Sequence, residues 1–220
     1  VHWRLERAAA TARRLPKQWR NLRWKRRLLG FPSDSNGKVR LHIGCGDIAS
    51  PEFVNVDARP KPHIHLVTKD LFDLRAVPDG AASLVYMCHV LEHVPYALLL
   101  PVLREMRRVL MPGGTLRLSV PDFEFILDIY AAEKRDPNII LGPLMGGQDY
   151  AFNFHYNVFT QTSLAKALEK AGFERVRNWD PQRCEFHNFD DWASMSVTVN
   201  GHDYPISLNL EASLPRASSS

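Results

Sequence analysis

The sequence predicts an α/β fold in which a largely parallel sheet carries helices on both faces. Short apolar runs at residues 39–43, 83–88 and 115–120 read as buried strands, and a well-patterned helix separates the last two. Strands alternating with helices in this way imply right-handed crossovers, with ligands binding beyond the carboxyl ends of the strands.

The first strand, residues 39–43, ends on Gly44, after the turn-rich stretch 31–38. Phe53-Val54-Asn55-Val56-Asp57 is a second strand with an acid at its end, and residues 63–68 form a weaker third. Leu99, Val102, Leu103, Met106, Val109 and Leu110 make one face of the clearest helix; Arg104, Glu105, Arg107 and Arg108 make the other. Pro112-Gly113-Gly114 stops it and turns the chain into the fifth strand, while Pro101 is tolerated if it falls in the first turn. A second helix is expected over residues 162–171, ended by Gly172, then a strand over 173–179. Residues 206–214 alternate Ile206, Leu208 and Leu210 with Ser207, Asn209 and Glu211, as a last strand does. Residues 136–160 are rich in glycine and aromatics with little periodicity, and read as a lid or insertion.

Composition sets the class. The chain has 220 residues, of which 45% are hydrophobic and 24% charged, which suits one globular domain over residues 39–214 and excludes a wholly disordered chain. No apolar run reaches the length of a spanning helix, and no apolar run follows the basic start as in a secretory signal. Cys45, Cys88 and Cys184 are few and scattered, which argues against a disulfide framework and for a reducing, cytoplasmic setting. Residues 1–30 hold ten Lys and Arg against Glu6, whereas residues 31–220 hold 18 basic and 23 acidic side chains. The basic arm, 1–38 with its linker, reads as a helix laid on the domain or as a peripheral contact with an anionic membrane surface; the acidic body disfavours a stable nucleic-acid partner. Residues 215–220 read as a flexible tail.

The chemistry concentrates after the strands. Gly44-Cys45-Gly46 permits a tight turn and close approach of a ligand, and Asp57 suits the two hydroxyls of a ribose. Gly-x-Gly-x-x-Gly is absent and only ten residues separate Gly46 from Asp57, so a nucleoside without a pyrophosphate fits better than a dinucleotide. The same short interval leaves room for only a turn or short helix between the first two strands.

Gly44-Cys45-Gly46, Asp57, Asp70, Leu91-Glu92-His93 and the run Arg108-Val109-Leu110-Met111-Pro112-Gly113-Gly114 stand in an order that resembles the class I S-adenosylmethionine-dependent methyltransferases, especially the type 11 group. The resemblance covers residues 39–120 and implies a Rossmann-like, seven-stranded, mostly parallel sheet with an antiparallel last strand at 206–214. It implies that Gly44, Cys45 and Gly46 lie against the methionine and ribose of the cofactor. Asp57 then binds the ribose hydroxyls, and Asp70, or the nearby Asp73, meets the adenine amino group.

Methyl transfer asks mainly for alignment and exclusion of water, with a base where the acceptor is an alcohol. His93 is the first candidate base, with His155 and His89 as rivals. Asn153, Tyr156 and Asn157 in the lid, with His187 on another rim, are candidate acceptor contacts. The resemblance favours O-methylation of a sugar, glycan or small hydroxylated metabolite, with N-methylation of a small amine and an RNA methyltransferase as alternatives. His89-Val90-Leu91-Glu92-His93 also satisfies a zinc hydrolase pattern, through His89 and His93, but begins where a strand ends and is soon followed by Pro95. A divalent ion held by His187, Asp190 and Asp191 is not favoured, because adjacent acids alone make no metal site.

Overall fold

The computed structural model describes residues 31–71 and 74–216. The expectations for the basic arm before residue 31, for Asp73 and for the last four residues lie outside them. The strands are β1 Val39–Ile43, β2 Val54–Asp57, β3 Leu66–Val67, β4 Ala82–Cys88, β5 Leu110–Pro121, β6 Glu174–Asn178, β7 Ser196–Val199, β8 His202–Pro205 and β9 Ser207–Ser213. The α-helices are α1 Leu99–Val109, α2 Phe123–Ala132, α3 Leu141–Met145 and α4 Gln161–Ala171. Seven strands form one sheet in the order β3-β2-β1-β4-β5-β9-β6, and β7 and β8 form a hairpin of their own. The pairs from β3 to β5 are parallel; β9 runs antiparallel to both β5 and β6.

Strand alternation divides the core in two. Val39, Leu41 and Ile43 of β1, Val85 and Met87 of β4, Leu116, Leu118 and Val120 of β5, and Leu208, Leu210 and Ala212 of β9 share one cluster with Val102, Leu103 and Met106 of α1 and Leu164 and Leu168 of α4. The opposite face carries the intervening residues. Leu84, Tyr86 and Cys88 of β4 pack with Phe53, Trp179 and Ala193, and Phe186 and Phe189 lie over them. Among the described residues that second face is covered by the chain between β6 and β7, which holds a 3-10 turn at Trp192–Ser194.

Two long polar side chains on this second face are paired. Arg117 donates to Glu211 at 3.0 Å and to the Glu185 carbonyl at 2.7 Å, and Trp179 donates its indole N–H to the Leu118 carbonyl at 2.9 Å. Glu211 also meets the exposed Arg177 at 2.7 Å. His42 is buried and stacks on Phe189, with ring centroids 5.3 Å apart. Burial lowers its pKa to about 4, so it sits neutral in the aromatic cluster.

Local signals explain the helix ends. Thr160 and Ser163 cap α4 reciprocally, and Gly172 closes it at φ +90°. In α1, Pro101 falls in the first turn, where it breaks no helical hydrogen bond. The Pro112-Gly113-Gly114 turn appears inside β5 as a register jump against β4, from Ala82 opposite Leu110 to Leu84 opposite Thr115. Between β1 and β2 there is no helix, as the short interval requires.

Helices α2 and α3, a 3-10 turn and the β7–β8 hairpin were not foreseen. Helix α2 is signalled by Asp122, whose carboxylate accepts from the Glu124 N–H, and by Phe125, Ile126 and Ile129 on its buried side. Within 136–160 the chain forms a 3-10 turn at Pro137–Ile139 and the short α3. The β7–β8 hairpin turns at Asn200-Gly201, both in the left-handed region, which is the pattern of a two-residue hairpin turn.

Candidate functional site

One large cavity, about 1080 Å³, opens at the carboxyl ends of the parallel strands. Ile43, Asp57, Cys88 and Pro121 bring the ends of β1, β2, β4 and β5 to its wall, and Ile206 brings the start of antiparallel β9. The hairpin and α2 close it with apolar side chains, among them Val197, Val199, Phe125 and Ile126.

The glycine turn forms one end. Gly44 and Gly46 have φ of +69° and +58°, a conformation that costs other residues strain. The Gly44 N–H donates to the Val56 carbonyl at 2.8 Å, tying the turn to β2. Gly46 donates to one Asp57 carboxylate oxygen at 3.0 Å, and the Arg59 N–H donates to the other at 2.8 Å. Each oxygen keeps acceptor capacity for a further donor from the cavity. His63 bonds the Gly46 carbonyl at 3.0 Å and Lys61 pairs with Asp47, bracing the turn from the segment after β2. Arg59 stacks on Tyr150 of the 136–160 segment at 4.9 Å, so that segment does reach over the turn. Cys45 is buried, and burial with the nearby Asp57 charge pushes its thiol up to about 12, an inert thiol.

His93 and His155 also line the cavity and pack edge to face, 4.8 Å between ring centroids. His93 Nδ1 lies 3.2 Å from the Phe154 carbonyl and His155 Nδ1 lies 2.9 Å from the Pro143 carbonyl. A carbonyl only accepts, so each Nδ1 carries the proton and each Nε2 keeps a lone pair. Burial, joined in His93 by the neighbouring His155, lowers both pKa values and favours the neutral rings.

Beside them sits Glu92, 1% exposed, with neither side-chain oxygen in a hydrogen bond among the described residues. An acid inside the run Val90-Leu91-Glu92-His93-Val94 is the sequence signal that marks it. Its backbone carbonyl accepts from the Tyr156 N–H at 2.8 Å, which joins the 136–160 segment to this corner.

Other expected residues are placed differently. Asp70 lines a separate cavity of about 380 Å³ with Leu41, Val56 and His65, not the large one; Thr68, Lys69 and Leu71 face the large one instead. His187 is buried away from the cavity, its ring held by the Pro181 carbonyl at 2.9 Å and Asp191 at 3.2 Å. Asn157 turns its amide to the Val94 carbonyl, while Asn153 and Tyr156 do line the cavity. His89, at φ +51°, turns Nε2 to the Ser207 hydroxyl at 2.8 Å, and only residues 91–93 form a 3-10 turn, so His89 and His93 do not share a helix face. Burial lowers the pKa of His89 to about 4. Asp191 accepts from Tyr86 at 2.5 Å and from His187. Burial alone would raise its pKa, but these bonds hold it below the usual range, which leaves it a structural acid.

A family model described as a methyltransferase domain matches residues 12–178. No curated protein matches the chain. A crystal structure of an S-adenosylmethionine-dependent methyltransferase from Archaeoglobus fulgidus is similar at TM-score 0.50 and 17% identity, over 91% of this chain and 95% of that one. Another such enzyme, from Thermotoga maritima, is similar at TM-score 0.51 and 16% identity, over 90% and 93%. Those likenesses are of fold, the family match spans most of the sequence, and the chain belongs to the methyltransferase-domain family as an enzyme of the class I fold.

Proposed function

We propose that the protein transfers the methyl group of S-adenosylmethionine to a hydroxyl of a sugar, glycan or other small hydroxylated acceptor. The observation that carries this reading is one cavity lined both by a glycine turn with Asp57 beside it and by two histidines whose pKa values burial lowers. Gly46 leaves open space where a side chain would stand, and Asp57 keeps acceptor capacity beside it, so the turn suits a nucleoside. S-adenosylmethionine supplies an activated methyl on a sulfonium.

The chain's own residues do the rest. Gly44, Cys45 and Gly46 give backbone to the donor, and Asp57 accepts from the ribose. Phe125, Ile126, Val197 and Val199 keep water from the reacting atoms. Asn153 and Tyr156 orient the acceptor, and the free Nε2 of His93 or His155 takes the hydroxyl proton as the oxygen attacks. His93 is the better placed of the two, since its ring rises directly from the turn after β4 while His155 depends on the 136–160 segment. The reading suits a compartment that keeps Cys45, Cys88 and Cys184 reduced, such as the cytoplasm. No helix among the described residues is long and apolar enough to cross a membrane.

Calorimetry with S-adenosylmethionine and S-adenosylhomocysteine, followed by a labelled-methyl screen of sugars, phenols and amines, tests the reading. Binding of both nucleosides and label on a hydroxylated acceptor are expected. No binding of either in a folded sample overturns it, and label on amines alone replaces O- with N-methylation.

A further inference from the structure

We propose that Glu92, His93 and His155 form a binding site for one divalent transition-metal ion, zinc or manganese in type, on the acceptor side of the cavity. One donor atom from each residue lies within 4.8 Å of the others. Donors about 2 Å from a shared ion stand roughly 3–4 Å apart, so closing the set needs side-chain adjustments of about 1 Å.

Two independent features point to a cation. The first is Glu92 itself, an acid 1% exposed with neither side-chain oxygen in a hydrogen bond among the described residues. One of these oxygens lies 3.9 Å from His93 Nε2 and 3.4 Å from His89 Nδ1. A buried acid is costly without a partner, and natural interiors leave few such groups unsatisfied. The second is the anchoring of the two rings. Both Nδ1 atoms are tied to backbone carbonyls, the arrangement by which metal-binding histidines fix their tautomer and aim the other nitrogen at the ion. Two imidazoles and one carboxylate suit a borderline ion better than magnesium or calcium, which prefer all-oxygen sets.

All three residues line the cavity, so a fourth position faces whatever enters it. That position suits an acceptor hydroxyl, and here the inference rests on the methyl-transfer reading. Polarised by the ion, the hydroxyl releases its proton to water. Its oxygen pair then forms the bond to the methyl carbon, and the carbon–sulfur pair stays on sulfur as the sulfonium becomes a neutral thioether. The ion then replaces one histidine as the means of deprotonation, and both rings act as ligands.

The test titrates zinc, manganese and magnesium chlorides into the chelator-treated full chain, with S-adenosylhomocysteine binding measured on the same samples. One equivalent of zinc or manganese is expected, with magnesium at least tenfold weaker. Glu92→Gln and His155→Gln should each weaken zinc at least tenfold while still binding S-adenosylhomocysteine, and Asp190→Asn should change nothing. Cobalt bound by the wild type should show visible d–d absorption that both site variants lose. The proposal is overturned if the wild type binds no stoichiometric ion, or if both site variants bind as it does. Stoichiometric zinc with no nucleoside binding would keep the ion site and remove the methyl-transfer reading instead.

Discussion

A Cβ on Gly44 would stand 2.2 Å from Cγ2 of Val90, so the turn after β1 and the turn after β4 touch with no room for a side chain. Gly44→Ala therefore meets both a clash and the strain of φ +69°. It should cost about 1–3 kcal/mol of stability and weaken S-adenosylhomocysteine at least tenfold. Val90→Ala in the same chain removes the clash and not the strain. Melting and calorimetry of the double variant should therefore show partial recovery.

Asp57 holds the turn and offers acceptor capacity to the cavity. Asp57→Asn retains an acceptor oxygen but loses the charge, whereas Asp57→Ala loses both bonds to the Gly46 and Arg59 backbone. Affinity for S-adenosylhomocysteine should fall in the order wild type, Asn, Ala, with the alanine variant down at least tenfold. A folded alanine variant with wild-type affinity would end the ribose assignment.

The acid limb of turnover should lie low. A histidine that accepts a proton must be neutral, and burial first and His155 second hold His93 below the ordinary value of 6.5. The acid limb of the kcat/KM profile of the methyl-transfer reaction should therefore have its midpoint below 6.5. A limb above 6.5 would assign the step to another group.

Stability should also depend on acid, through His42. Its folded pKa, about 4, is depressed from 6.5, so the unfolded chain binds the extra proton between those values. Stability should be full above pH 6.5 and fall as the pH drops toward 4, by about 3 kcal/mol from this group. His89 adds a loss of the same sign in the same window. His42→Phe should flatten part of the decline in denaturant titrations at pH 7 and pH 4.5.

The buried pair Arg117–Glu211 is a strut between β5 and β9. Arg117→Met leaves Glu211 buried with only the exposed Arg177, and should cost about 2–4 kcal/mol in urea unfolding. Replacing both, with Arg117→Met and Glu211→Leu, should return much of that loss.

The strands were readable because each pairs a hydrophobic period with a break. The first ends at a glycine, the second at Asp57, and the alternation of Leu208 and Leu210 with Asn209 and Glu211 assigns two faces that the structure keeps. The glycine turn was legible for the same reason: Gly44, Gly46 and Asp57 sit next to their own strands. The histidine corner depends on contacts across 50 residues or more, which no local pattern carries. His93 meets His155 where the Tyr156 N–H reaches the Glu92 carbonyl and the Phe154 carbonyl reaches His93, and the His187 ring is held by Asp191. Asp70 lines the smaller neighbouring cavity, and β3, two residues long, is too short to aim its trailing loop from sequence.

The position of β9 has a consequence for biosynthesis. It follows every other strand of the seven in chain order, yet it fills the gap between β5 and β6. Until residues 207–213 have left the ribosome, β5 keeps a raw edge of unpaired backbone and Arg117 lacks its carboxylate. A nascent chain stalled before that point holds five parallel strands and a stray sixth with no seat, which makes it a natural client for chaperones.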